Sequence, residues 1–413
     1  MSIKVTVKPD IELGTWQGMG GAITEATAYN FSKLSPQKRR KLIDAYFGRS
    51  GIDYRWVRIS IGSNDFCLAP YEYTKRPSMR DFTIAHDKKW VIPMLKSIRK
   101  PNLKIVASPW SPPAFMKTTF MKRFGGHLKP WRYESYAKYI HKWLDAYKKE
   151  GIKINYLTPQ NEPRAFQIWE SCLYSFRAQR RLAYKYLANE LKDAKVQLLL
   201  WDHNKKNLTR TADNLFNGKY VTKYGRKEQV AGLCYHWYNG TFPDEMWQVR
   251  QKYPDIMLLS SEMCVGFSPY DPADWATAAN PYYYEIMSDI NTGASAWIDW
   301  NMLLDWQGGP SYCKNYVKSP VILNEKGDDF ILTPIYDALK KFSKLFPAGS
   351  RVIRCEYDSK DVAVVARKTR SGYEVVVANV SYAKQTVVIK LGKKQHRVVL
   401  DKLQLQKVMI KYT

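Results

Sequence analysis

Short runs rich in β-branched residues alternate along most of the chain with longer segments whose apolar positions recur at helical spacing. The short runs predict strands at 18–24, 55–61, 103–108, 154–158, 196–201, 230–235, 257–260 and 294–300. Between them, helices are predicted at 37–47, opened by Ser35-Pro36, at 88–99, opened by His86-Asp87, and at 131–149, ending before Gly151. Strand-then-helix alternation implies a parallel sheet, and eight such units predict closure into a (β/α)8 TIM barrel of the α/β class.

The texture changes after Phe346-Pro347-Ala348-Gly349. Runs at 352–356, 362–368, 373–380, 386–391 and 398–403 read as short strands separated by turn residues, with no helix among them. They predict a β-sandwich side domain. Ile3, Val5 and Val7 alternate ahead of the first barrel strand, and a lone strand needs a partner to bury its apolar face, so the N-terminus is expected to join that domain. The expected organisation is a catalytic barrel over 14–345 and a side domain made of 1–13 plus 346–413.

Composition changes this picture little. With 413 residues, 45% of them apolar and 25% charged, the chain can bury a large core and is neither disordered nor collagen-like. The start, MSIKVTVKPD, lacks the pattern of a secretory signal, and no run of ~18 apolar residues occurs, so a cytoplasmic protein without a membrane span is expected. Six scattered cysteines without a CxxC pair predict free thiols. The unusual quantity is charge: 65 Lys and Arg against 38 Asp and Glu give +27. The basic runs Lys38-Arg39-Arg40-Lys41, Lys205-Lys206 and Lys393-Lys394 fall on helical or surface-like stretches. They accompany no nucleic-acid-binding module, and no specific nucleic-acid partner is expected. Oligomeric state is not readable.

The chemistry of such a barrel sits at the C-terminal ends of its strands. Glu162, in Thr158-Pro159-Gln160-Asn161-Glu162-Pro163, follows the fourth strand, and Glu262, in Ser260-Ser261-Glu262-Met263-Cys264, ends the seventh. These strands face each other across a barrel, which can bring the carboxyls into one cleft. Glycoside hydrolysis needs such a pair: one protonates the leaving oxygen, the other attacks the anomeric carbon or activates water. Trp110, His236-Trp237-Tyr238 and Asp299-Trp300-Asn301 also fall at strand ends, where rings can stack on a sugar and polar groups can bind its hydroxyls. Arg58 and Asp65 flank the end of strand two, and an arginine buried near Glu262 would favour its nucleophilic carboxylate form.

The chain resembles glycoside hydrolase family 30, in particular its glucosylceramidase (acid β-glucosidase) branch. The matching residues are Gln17-Gly18-Met19-Gly20-Gly21-Ala22-Ile23-Thr24-Glu25-Ala26, Ser108-Pro109-Trp110-Ser111-Pro112-Pro113, Asn161-Glu162-Pro163, His236-Trp237-Tyr238, Ser261-Glu262-Met263-Cys264-Val265-Gly266, and Asp299-Trp300-Asn301 through Gly308-Gly309-Pro310. The resemblance implies a retaining β-glycosidase without metal or other cofactor, with Glu162 as acid/base and Glu262 as nucleophile. It implies a glycone site of Asp65, Trp110, Asn161, Trp237 or Tyr238, Trp300 and Asn315. The expected substrate is a short or lipid-linked β-glucoside. An endo-β-1,6-glucanase, a β-xylosidase or a non-catalytic basic glycan-binding protein are the alternatives.

Overall fold

The computed structural model describes residues 2–225 and 227–412. Strand β1 (Ser2–Thr15) precedes eight strands that close a parallel barrel: β2 (Met19–Ile23), β3 (Trp56–Ile61), β4 (Lys104–Pro109), β5 (Tyr156–Leu157), β6 (Gln197–Asn204), β7 (Val230–His236), β8 (Met257–Glu262) and β9 (Ala296–Asp299). Each expected barrel run is therefore present, shifted by a few residues at its ends. A short hairpin, β10 (Val321–Leu323) and β11 (Phe330–Leu332), had not been expected.

Helices α1 (Glu25–Lys33) and α2 (Pro36–Phe47) follow the first barrel strand; α3 (Val91–Ser97) and α4 (Tyr133–Lys149) lie further round. The start of α2 is as the sequence reads: the Ser35 hydroxyl accepts from the Lys38 N–H, and Pro36 takes the first turn, where its missing N–H costs nothing. The expected start at Asp87 is a correction. Its carboxylate is buried and accepts the hydroxyls of Tyr71, Tyr73 and Tyr147 at 2.9, 2.6 and 2.6 Å, so it caps nothing, and α3 begins at Val91 with Pro93 in its first turn. Helix α4 likewise begins two residues later than predicted, after a 3-10 turn at Pro130–Arg132.

The side domain is one seven-stranded sheet in the order β16-β15-β1-β12-β13-β14-β17, where β12 to β17 are Arg351–Tyr357, Val362–Thr369, Gly372–Asn379, Gln385–Leu391, Lys394–Leu400 and Leu405–Lys411. Its pairs are antiparallel except β1 with β15, which are parallel with Ile3 opposite Val387. One face, including Val365 and Val376, packs on the barrel core. The other gathers Val5, Val7, Val364, Val375, Ile389 and Leu400 into a separate buried cluster whose members all come from these strands. No helix contributes to that cluster, and the strands form one sheet where a sandwich was expected. The run expected as a strand at 398–403 holds the end of β16 and the turn after it, and β17 follows where no strand was expected. All six cysteines are free.

Candidate active site

Alternation within the barrel builds the floor of the site. Side chains two apart point the same way along a strand. Trp56, Val106, Leu199, Cys234, Leu259 and Ile298 form an apolar inner cluster. Two residues on from five of them stand Arg58, Ser108, His236, Ser261 and Trp300, a largely polar layer at the C-terminal end. Strand β6 departs from this spacing. A register shift between Trp201 and His203 accompanies left-handed backbone at Trp201 (φ 79°) and Asp202 (φ 54°). The bulge turns Trp201 outward to stack on Phe176, and Asp202 takes the inward position.

Arg58 and Asp202 form the hub of the polar layer. Both side chains are fully buried, and their ion pair measures 2.9 Å. The Asp202 carboxylate also accepts from Ser108, Thr158 and Ser261 and meets His236 Nε2 at 3.0 Å. Burial alone would raise its pKa, yet Arg58, His236 and Ser261 hold it well below the carboxylate range. Arg58 further donates to Asn161 Oδ1 at 2.8 Å and to Glu262 Oε2 at 2.5 Å. Burial works against its charge, but Asp202 and Glu262 outweigh this and raise its pKa. Its guanidinium lies 5.0 Å from the ring of Trp110 and 5.5 Å from that of Trp300, and the two indoles stack on each other at 5.3 Å.

Above this layer opens a pocket of about 430 Å³. Its wall includes Asp65, Trp110, Asn161, Glu162, Tyr238, Glu262, Trp300 and Asn315, all expected from the sequence. Glu162 and Glu262 thus share one cleft. The backbone of Glu162 is left-handed (φ 46°), and its N–H donates to the Asp202 carbonyl at 2.9 Å. That strained conformation places the carboxylate 3.5 Å from His203 Nδ1 and 3.6 Å from His236 Nδ1, with Gln167 donating at 3.3 Å. Burial raises the Glu162 pKa, but the two imidazoles prevail and bring it well below the ordinary value. Glu262 receives the Tyr238 hydroxyl at 2.8 Å, and its Oε1 lies 3.9 Å from the same His236 Nδ1. Against the cost of burying an imidazolium, Glu262, Asp202 and Glu162 raise the pKa of His236 to about 9. Asp65 is pushed up to about 8 by burial and by the charge of Glu262, despite the Asn315 amide donating to it at 2.8 Å.

Two of the expected sugar-binding residues sit elsewhere. His236 is fully buried beneath the carboxylates, because it occupies an inward barrel position. Trp237, next along the strand, turns away from the pocket to pack on the barrel core and donates its indole N–H to the Cys264 carbonyl. Tyr238 takes the wall position. Reading the sequence also missed Asp202 and His203, although Asp202-His203-Asn204 follow the fifth strand where the strand-end rule applies. Gln167 and Trp169 on the wall carry no comparable signal.

Residues 16–346 match the glycosyl hydrolase family 30 TIM-barrel domain. The chain belongs to glycosyl hydrolase family 30. It is similar to the lysosomal acid glucosylceramidase of Mus musculus, 31% identical in an alignment that covers 90% of this chain and 76% of the mouse protein. Among solved structures, SrfJ from Salmonella typhimurium is 27% identical with a TM-score of 0.90, over 100% of this chain and 93% of that one. An endo-β1,6-glucanase is 26% identical with a TM-score of 0.83, over 98% and 93%. This family 30 member is a glycoside hydrolase, as the resemblance implied.

Proposed function

We propose that the chain is a retaining, exo-acting β-glucosidase that cleaves short or lipid-linked β-glucosides by double displacement. The observation that carries this reading is the pairing of two carboxylates from opposite strands, Glu162 and Glu262, each with an oxygen within 3.9 Å of one imidazole nitrogen of His236. A retaining mechanism wants its carboxyls ~5–5.5 Å apart, and an inverting one leaves ~6.5–9.5 Å for a water. The mouse glucosylceramidase and the endo-β1,6-glucanase, by their names, point to glucosyl units.

The roles follow from the surroundings. Glu262, held by the Arg58 guanidinium and the Tyr238 hydroxyl, attacks the anomeric carbon as its bond to the leaving oxygen breaks, giving a glycosyl ester. Glu162 faces the leaving oxygen and delivers the proton. His236 Nδ1 stands 3.6 Å from the Glu162 carboxyl, which must carry the proton when the leaving oxygen arrives. In the second half-reaction Glu162 takes a proton from water, which attacks the ester and restores Glu262. Asp65, Asn161 and Asn315 bind glycone hydroxyls, and Trp110 and Trp300 form the aromatic part of the wall beside them.

The test combines product stereochemistry and azide rescue. The first sugar released from a β-glucoside should be the β-anomer by NMR; an initial α-anomer would overturn retention. Glu162→Ala with azide should yield a β-glycosyl azide, and Glu262→Ala an α-glycosyl azide; the opposite pattern would mean the roles are exchanged. A panel of aryl β-glycosides should favour glucoside over xyloside. Faster release from the interior of β-1,6-glucan than from aryl glucosides would assign the endo activity instead.

A further inference from the structure

The pocket over the two glutamates is not the largest cavity. A groove of about 1170 Å³ runs along the flank of the barrel between α1, α2 and α3, and shares no lining residue with that pocket. Its apolar surface comes from all three helices: Phe31 on α1, Ile43 and Phe47 on α2, and Trp90, Pro93 and Met94 at α3.

The rim is cationic. Lys33 closes α1, Arg40 stands on α2, and Lys89 and Arg99 lie just before and just after α3, so that positive charge brackets the groove at both ends of that helix. Two further cations of the lining are engaged. Arg39 donates to the Phe31 and Ser32 carbonyls at the end of α1, and Lys96 pairs with Glu150. Arg40, Lys89 and Arg99 differ: among the described residues, no side chain or carbonyl accepts a hydrogen bond from their side-chain nitrogens and no carboxylate pairs with them. Asp44 is the one carboxylate among the lining residues. An apolar trough with an unneutralised cationic rim is complementary to an amphiphile with an anionic head and a hydrocarbon tail. A polyanion such as a nucleic acid would leave the apolar floor uncovered.

We infer that this groove binds a single-chain anionic amphiphile, a free fatty carboxylate, with its chain on Ile43, Trp90 and Pro93 and its head among Arg40, Lys89 and Arg99. With Lys89 just before α3 and Arg99 just after it, the cations bracket a concave groove of about 1170 Å³, large enough to take a single hydrocarbon chain, which favours a ligand that enters as a separate molecule over docking onto a bilayer.

Dodecanoate is the probe, with dodecanol as its uncharged counterpart and titration calorimetry as the readout. Saturable one-to-one binding of dodecanoate is expected, at least tenfold tighter than dodecanol, and unaffected by gluconolactone in the catalytic pocket. The triple variant Arg40→Glu/Lys89→Glu/Arg99→Glu, whose side chains are exposed, should keep its circular dichroism and its turnover of a small aryl glucoside while losing at least tenfold in dodecanoate affinity. Arg99→Glu alone should lose part of that affinity, which keeps the test open should the triple variant misfold. Several results would overturn the proposal: no binding, equal affinity for dodecanol, unchanged affinity in the charge variants, or displacement by gluconolactone. Association seen only with phosphatidylglycerol vesicles and not with dodecanoate would also overturn it, replacing the free amphiphile by a membrane surface.

Discussion

Asp202 shows how one side chain outside the pocket wall governs the site. It neutralises Arg58, meets His236 and accepts three hydroxyls, so its loss leaves a buried cation with a single remaining countercharge, Glu262. Breaking a buried pair from one side costs about 3–5 kcal/mol. Asp202→Asn is therefore expected to lower folding stability by that amount in denaturant titrations and to reduce kcat, because Arg58 and His236 lose their fixed positions. A variant with wild-type stability would show that the hub is not a structural centre. The two glutamates should separate by leaving group. Glu262→Gln is expected to lose about 10⁴-fold or more in kcat for every substrate. Glu162→Gln should lose about 10²–10⁴-fold on glucosides with poor leaving groups and much less on activated aryl glucosides. Equal losses on both substrate types would remove Glu162 from the acid role.

The elements differ in how openly the sequence announces them. Barrel strands buried on both faces read as apolar runs, and the Ser35-Pro36 start of α2 is explicit because its capping interactions are local. Asp87 misleads as a helix start because its partners, Tyr71, Tyr73 and Tyr147, are not its helical neighbours. The strand Leu405–Lys411 escapes because it is an edge strand paired on one side only, with charged and polar residues breaking its apolar alternation. The β6 bulge is invisible for another reason: Leu198 to Trp201 read as regular strand, and nothing local says that Asp202 will take the inward position. The glutamates, by contrast, were legible from their strand ends, and the inward histidine was legible as a site residue but not in its depth. Strand closeness also yields a test. A Cβ at Gly20 would stand 2.3 Å from the Trp56 carbonyl oxygen on the adjacent barrel strand, a contact with backbone that cannot swing away. Gly20→Ala should destabilise the barrel by about 1–3 kcal/mol or more, read as a Tm lowered by several degrees. An unchanged Tm would mean that the strands can part at no cost.

At the scale of the whole molecule, buried titrating groups set a pH optimum for stability. His236 at about 9, Asp65 at about 8 and Asp289, in the helix Ala279–Ile290, at about 7 hold protons more tightly folded than unfolded. Asp289 pairs at 2.9 Å with Lys205, which is fully buried and not on the surface as its basic run suggested. Burial dominates both carboxyl shifts, and the neighbouring carboxylates overcome it at His236. Their stabilisation is complete below the unfolded pKa of each group and is lost as pH rises to the folded value, so stability should fall from about pH 4 upward through the two carboxyls and, above about 6.5, through His236 as well, until about pH 9. Glu162 and Asp202 are shifted the other way, and their contribution is lost as pH falls below about 4. Tm is therefore expected to peak at about pH 4 and to fall above it; a flat profile from about pH 5 to 9 would contradict the assignment. The net +27 has a separate consequence. No lysine or arginine lies among the described residues of the pocket wall, and Arg58 beneath it is balanced by Asp202 and Glu262, whereas unpaired cations gather at the flank groove. A neutral glucoside gains no steering from such a distribution, and exposed charges are screened within ~8 Å at physiological ionic strength. Its kcat/KM should change by less than about twofold as salt is raised across the physiological range, and the corresponding glucoside 6-phosphate should gain no advantage. A strong preference for the phosphate that collapses with added salt would place the effective positive charge at the catalytic pocket and move the substrate to phosphoglycosides.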